Sequence, residues 1–73
     1  MAQEIVEVPI TGKVTNVEVK VGDTVKEGDV VCYIESMKME NPILAPVGGT
    51  ITEIKVSAGQ MVETGNPIAT IEY

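Results

Sequence analysis

The sequence predicts an all-β fold made of two copies of one small unit. Composition and an internal repeat carry that expectation. Twelve valines and eight isoleucines stand against one leucine, with no phenylalanine or tryptophan. β-branched side chains fit strands and lose rotamer freedom in helices. The chain also aligns with itself without a gap when shifted by 37 residues, so that residues 8–36 fall on 45–73. No stretch sustains the period of an amphipathic helix.

The repeat can be followed residue by residue. Pro9 falls on Pro46, Gly12 on Gly49, Thr15 on Thr52, Val19 on Val56 and Gly22 on Gly59. Val25 falls on Val62, Gly28 on Gly65, Ile34 on Ile71 and Glu35 on Glu72. These are nine identities in 29 pairs, where unrelated sequence would give about two. Val14/Ile51, Val17/Ile54 and Val31/Ile68 keep their apolar character.

Taken in order, strands are expected at 4–10, 13–20, 30–35, 39–44, 50–56 and 67–72, with short extended pieces near 24–26 and 61–63 completing eight. Turn chemistry separates them: Val21-Gly22-Asp23 and Glu27-Gly28-Asp29, then Ala58-Gly59-Gln60 and Thr64-Gly65-Asn66. Glycine accepts positive φ, and a following Asp or Asn is itself a turn former. In the second strand Val17, Val19 and Val21 alternate with Glu18 and Lys20, giving one apolar face. Val14 is out of phase with them, and Ile51 slips in the same way against Ile54 and Val56. A slip shared by both copies predicts a bulge or bend, through which one strand serves both sheets of a small sandwich or flattened barrel. Neither copy can bury its own face, so the two are expected to pack about a pseudo-two-fold axis. An ordinary small β-barrel, its repeat only an evolutionary trace, is the alternative.

Composition also bounds function. Residues 1–73 are expected to form one domain, near the lower limit for folding on a single core. Cys32 has no partner for a disulfide and reads as a small buried hydrophobe. Without histidine or a second cysteine, no zinc site is plausible. The net charge is −6, with five lysines and no arginine, so nothing neutralises phosphates and nucleic acid is excluded as the main partner. No apolar run approaches a membrane span, and Met1-Ala2-Gln3-Glu4 does not open a signal peptide. The expectation is a cytoplasmic protein with a reduced thiol. Ser36 and Ser57 have no base partner, so no triad can be built. Gly48-Gly49 precedes no helix and is not a phosphate loop.

The informative segment is the seam between the copies. A strand ending at Glu35 runs in, one starting at Met39 runs out, and the gap is of hairpin length. The tip is therefore near Met37-Lys38. No Gly, Asn or Asp marks this turn, although tight hairpins usually need one. Local rules break more often at functional sites, and Lys38 is expected to hold an unusual backbone conformation. The ordinary reading is a solvated lysine on a hairpin. Against it stand the position at the seam, the flanking Met37 and Met39, and the lack of any such motif after Glu72. Methionine suits a surface that another protein must grip. Glu35 and Glu40 are strand-end charges that can frame the lysine for a recognising enzyme, Glu35 being the better placed.

Glu35-Ser36-Met37-Lys38-Met39 resembles the biotin attachment motif of biotin carboxyl carrier proteins and biotinyl domains. The resemblance covers nearly the whole chain: Pro9, Gly12, Gly22 and Gly28 before the motif, then Ala45-Pro46, Gly49, Gly59 and Gly65 after it. It implies a barrel-sandwich of two four-stranded antiparallel sheets with Lys38 on a protruding hairpin. It further implies that biotin protein ligase joins biotin to the Lys38 amine. The cofactor then carries a carboxyl group between biotin carboxylase and carboxyltransferase or decarboxylase sites, as in acyl-CoA carboxylase. Tethering raises the local biotin concentration at both sites. The chain would thus be a carrier rather than an enzyme. Some bacterial carriers insert a thumb in the first half, for which the gapless repeat leaves no room. The family most often has alanine where Ser36 stands, and serine is nearly as small. The nearest rival is a lipoyl carrier, whose lysine usually follows an aspartate rather than a methionine. A structural barrel-sandwich module, as in membrane fusion proteins, would be inserted in helical hairpins, which nothing in the pattern suggests. The tight ends suit a domain excised from a longer chain, which could then belong to a matrix or plastid protein; a small stand-alone carrier is the alternative.

Overall fold

The computed structural model describes residues 2–73. Eight strands follow in order: β1 (Gln3–Glu7), β2 (Gly12–Val17), β3 (Thr24–Val25), β4 (Val30–Ser36), β5 (Met39–Leu44), β6 (Gly49–Ile54), β7 (Met61–Val62) and β8 (Pro67–Glu72). They form two four-stranded sheets, ordered β1-β8-β6-β3 and β5-β4-β2-β7, and every pairing is antiparallel. A shift of 37 residues turns the first order into the second. Each copy therefore places two strands in each sheet, and the halves interlock rather than sit side by side. The pseudo-two-fold barrel-sandwich is realised, and no helix occurs among the described residues.

Interlocking explains why the apolar positions repeat. Fourteen of the buried hydrophobic residues fall into seven repeat pairs: Val6/Ile43, Val8/Ala45, Val14/Ile51, Val25/Val62, Val31/Ile68, Cys32/Ala69 and Ile34/Ile71. Six of the pairs send one side chain into the shared core from each sheet, and Val8 and Ala45 enter it from matching connections. Fully burying a Val or Ile stabilises by about 1.5–3 kcal/mol, and neither copy could do so alone. Cys32 is a buried free thiol, as expected.

The phase slip is a bulge in both copies. Register shifts between Val14 and Asn16 on the β2–β4 ladder, and between Ile51 and Glu53 on β6–β8. The extra residues, Thr15 and Thr52, lie over the partner strands; the Thr52 hydroxyl donates to the Thr70 carbonyl at 3.4 Å.

The four Gly-containing turns share one geometry. The Asp23 N–H donates to the Lys20 carbonyl (3.0 Å) and its Oδ2 accepts from the Lys20 N–H (3.0 Å), with Gly22 between them at φ +98°. Lys26–Asp29, Ser57–Gln60 and Glu63–Asn66 repeat the pattern. The side chain after each glycine thus closes the turn it follows.

Several strands are shorter than the pattern suggests. β1 stops at Glu7 because the Val8 N–H turns to the Asn66 carbonyl (2.8 Å) and Pro9 has no N–H to offer. β2 stops at Val17. Val17 and Val19 still pack against the core, but Val21 is 61% exposed. It sits inside the Lys20–Asp23 turn, so the expected apolar face loses its third member. The connection 18–23 has the same length as 55–60, which leaves no thumb.

Candidate functional site

Ser36 and Met39 form the last pair of the β4–β5 ladder, so Met37 and Lys38 make up a two-residue hairpin turn. Both have positive φ, +54° and +65°, the signature of a type I′ turn, whose twist matches that of the flanking strands. They are the only non-glycine residues with positive φ among those described. Each side chain in that region costs about 1–2 kcal/mol. The ladder enforces a conformation that the two residues do not favour.

The base of the hairpin is gripped from both sides. A Cβ on Gly12 would strike the Glu35 carbonyl oxygen and lie 2.8 Å from Ile34 Cγ2. Only glycine lets β2 press this closely on β4 beneath the tip. On the other side the Asn41 amide donates to the carbonyls of Ile34 (3.3 Å) and Met39 (3.2 Å).

At the apex Lys38 is exposed, with Met37 at 88% and Met39 at 66% exposure. Among the described residues the only ion pair is Lys55–Glu53, at 3.1 Å, so Lys38 has no carboxylate partner. Nor do the described residues contain a cluster of metal-ligating side chains. The tip offers a primary amine framed by two thioethers.

Glu35 lies one rung below the turn and points outward. It faces Glu40 across β4–β5 and Lys13 across β2–β4. Like charges directly opposite are unfavourable. Lys13 stands opposite Glu35 on one side without an ion pair, and on the other the Thr15 hydroxyl donates to Glu40 Oε2 at 2.8 Å. The fold also delivers residues that the local motif does not reveal. Thr11, Lys13 and Met61 join Glu35, Ser36, Met37 and Lys38 around one open cleft of about 410 Å³. The repeat holds a signal for two of them, since Met61 stands where the other copy has Thr24, and Lys13 where it has Thr50.

The symmetry mate of this tip is the meeting of the chain ends, where Ala2 and Tyr73 exchange backbone hydrogen bonds of 2.8 and 2.9 Å. The two sheets therefore differ most where one of them carries Lys38.

A family model described as "Biotin-requiring enzyme" matches residues 4–71. The chain belongs to this biotin–lipoyl attachment family. Domains of this family are carriers within biotin-requiring enzymes, not catalysts themselves. The chain is 57% identical over 37 residues to the 2-oxoglutarate carboxylase large subunit of Hydrogenobacter thermophilus, which covers 51% of this chain and 6% of that one. It is 49% identical over 39 residues to the glutaconyl-CoA decarboxylase gamma subunit of Acidaminococcus fermentans, covering 53% and 27% respectively. Among solved structures, urea carboxylase of Kluyveromyces lactis superposes with a TM-score of 0.91 at 35% identity, over 99% of this chain and 6% of that chain. The chain thus spans only a small part of the proteins it matches. The fold agrees with that part of urea carboxylase over 99% of this chain, and together with the family match the barrel-sandwich is that of a biotinyl domain.

Proposed function

We propose that residues 1–73 form one biotin carboxyl carrier unit and that Lys38 is its attachment site. One observation carries the assignment to this residue: Lys38 occupies the apex of the type I′ tip, exposed and free of any carboxylate partner. A ligase can reach such an amine from all sides. The neutral amine nitrogen attacks the carbonyl carbon of an activated biotin acyl group, the activating group departs with the bonding electrons, and the ammonium proton passes to a base of the ligase. Met37 and Met39 give the ligase apolar grip beside the lysine, and Glu35 supplies a fixed charge one rung away.

The attached biotin then accepts a carboxyl group at a biotin carboxylase site and yields it at a carboxyltransferase or decarboxylase site. The relatives' names support this reading, being carboxylases and a decarboxylase. The protein contributes reach and presentation, and the cofactor supplies the chemistry.

The test is intact mass after co-expression with a biotin protein ligase and excess biotin, beside a Lys38→Ala control. One added biotinyl mass that disappears in the control is expected. An unmodified mass, or a lipoyl adduct under matched conditions, would overturn the assignment.

A further inference from the structure

The two sheets share one fold and one register, so each serves as an internal control for the other. On the sheet that carries Lys38, a row of outward side chains crosses three strands. Met61 of β7 pairs with Lys13 of β2, and Lys13 pairs with Glu35 of β4. All three are exposed, Met61 at 68%. The equivalent row on the other sheet is Thr24, Thr50 and Glu72. The carboxylate occurs in both rows, whereas the apolar group and the cation occur only below the tip. Folding does not require them, because the other sheet is built without them.

This row lines the open cleft together with Ser36, Met37 and Lys38 itself. Its volume, about 410 Å³, falls within the range of small-molecule sites, about 300–1,000 Å³. A group carried on the Lys38 amine starts at the wall of the cleft. Thr11, which also lines the cleft, is already occupied: its Oγ1 accepts from the Thr64 N–H (3.2 Å) and meets the Thr64 hydroxyl at 3.3 Å.

We propose that the cleft is a resting site for the ring head of the biotinyl group on Lys38, folded back onto its own domain. This rests on the biotin reading above. The head has an apolar sulfur-containing ring and a ureido ring with one carbonyl acceptor and two N–H donors. Met61 and Met37 offer polarizable thioethers to the first. The Lys13 ammonium donates to the ureido carbonyl, and the Glu35 carboxylate accepts from a ureido N–H, both charge-assisted bonds. Cation, anion and apolar surface thus lie side by side in the combination this head needs. The cleft is open, so the head exchanges between the resting position and an extended one, and a partner enzyme draws on the extended fraction.

The experiment compares unmodified and biotinylated full chain by NMR with methyl-labelled methionine, after intact mass has confirmed one biotinyl group. On biotinylation the Met61 methyl resonance is expected to move and to show NOEs to the biotin ring protons, a result that needs no variant. Met61→Thr, which installs the residue of the other sheet, is expected to abolish the accompanying shifts at the Lys13 and Thr11 amides. It should also raise the rate of capture by streptavidin by about two-fold or more, since capture samples the extended fraction. Perturbations confined to residues 36–40, with a capture rate unchanged in Met61→Thr, would overturn the resting site and leave the biotin reading intact. An unmodified mass would overturn both.

Discussion

The type I′ tip makes a prediction that runs against the usual effect of mutation. Met37 and Lys38 hold φ of +54° and +65°, so replacing them with the Asn-Gly pair that such turns favour should stabilise the protein. Lys38→Gly removes a left-handed penalty of about 1–2 kcal/mol and adds unfolded-state freedom of about 0.5–1 kcal/mol, a net gain of about 0.5–1 kcal/mol. Met37→Asn gains a similar amount, because Asn enters the left-handed region more readily. The sites are adjacent and will not add fully, so the double variant should gain about 1–1.5 kcal/mol. For a domain of this size, 1 kcal/mol moves Tm by about 4–8 °C. Thermal unfolding of the unmodified proteins should therefore show a rise of about 4–12 °C, with a higher urea midpoint at unchanged m. The same variant should accept no biotin. If it melts at or below the parent while NMR shows the hairpin retained, the turn holds no strain and the argument fails.

Four other outcomes follow from packing and burial. Gly12→Ala forces a Cβ against the Glu35 carbonyl and Ile34, so it should cost about 1–3 kcal/mol and speed amide exchange in β2 and β4, as read by hydrogen exchange. Ile51→Ala empties a fully buried position at about 2–5 kcal/mol, enough to leave a marginal domain largely unfolded by circular dichroism. Ile5→Ala, at a position 53% exposed, should change stability by less than about 0.5 kcal/mol. Burial pushes the Cys32 thiol up from 9.0 to about 11. The reactive thiolate is thereby scarcer at any pH below that range. Alkylation of the folded protein at pH 8 should be at least about 100-fold slower than that of the urea-unfolded chain, rising about tenfold per pH unit towards pH 10. A rate independent of pH, or equal in both states, would contradict this.

The fold was legible because the repeat and the core are the same fact. Val14/Ile51, Val31/Ile68 and Ile34/Ile71 match in sequence because each pair meets in one interior. The slip at Val14 and Ile51 was visible for a similar reason, since a bulge must shift the period of a strand. Strand ends were less legible. Val21 carries the right character for the apolar face, but the Lys20–Asp23 turn takes it out of the ladder, and a one-dimensional pattern does not show where backbone bonds change partner. The tip itself was local and therefore readable: strand phase placed Lys38 at a turn, and the lack of Gly or Asn foretold the unusual φ. The cleft was not. Lys13 and Met61 are far from Lys38 in sequence and reach it only through the β2–β4 and β2–β7 pairings.

That difference also indicates how function was placed on this scaffold. A symmetric barrel-sandwich offers two equivalent ends, and packing alone gives no reason to prefer either. The seven paired core positions show the symmetry kept where burial is at stake. It lapses on the outer face near one end: Met39 answers Ala2, Met61 answers Thr24, and Lys13 answers Thr50. Three of the chain's four methionines gather there, each more than half exposed. Exposed thioethers add little to a core, so the gathering of these three at the Lys38 end needs another cause. A surface that must meet a ligase, a carried head group and successive enzyme sites supplies one, because each contact asks for adaptable apolar area beside a fixed charge. On this argument the departures from symmetry mark functional positions. Restoring symmetry one residue at a time, with Met61→Thr, Lys13→Thr and Met39→Ala, should lower the rate of biotin attachment or the shielding of the attached head while moving Tm by no more than about 4 °C. Equal losses of stability from all three, with attachment and shielding unchanged, would show that these residues serve the fold after all.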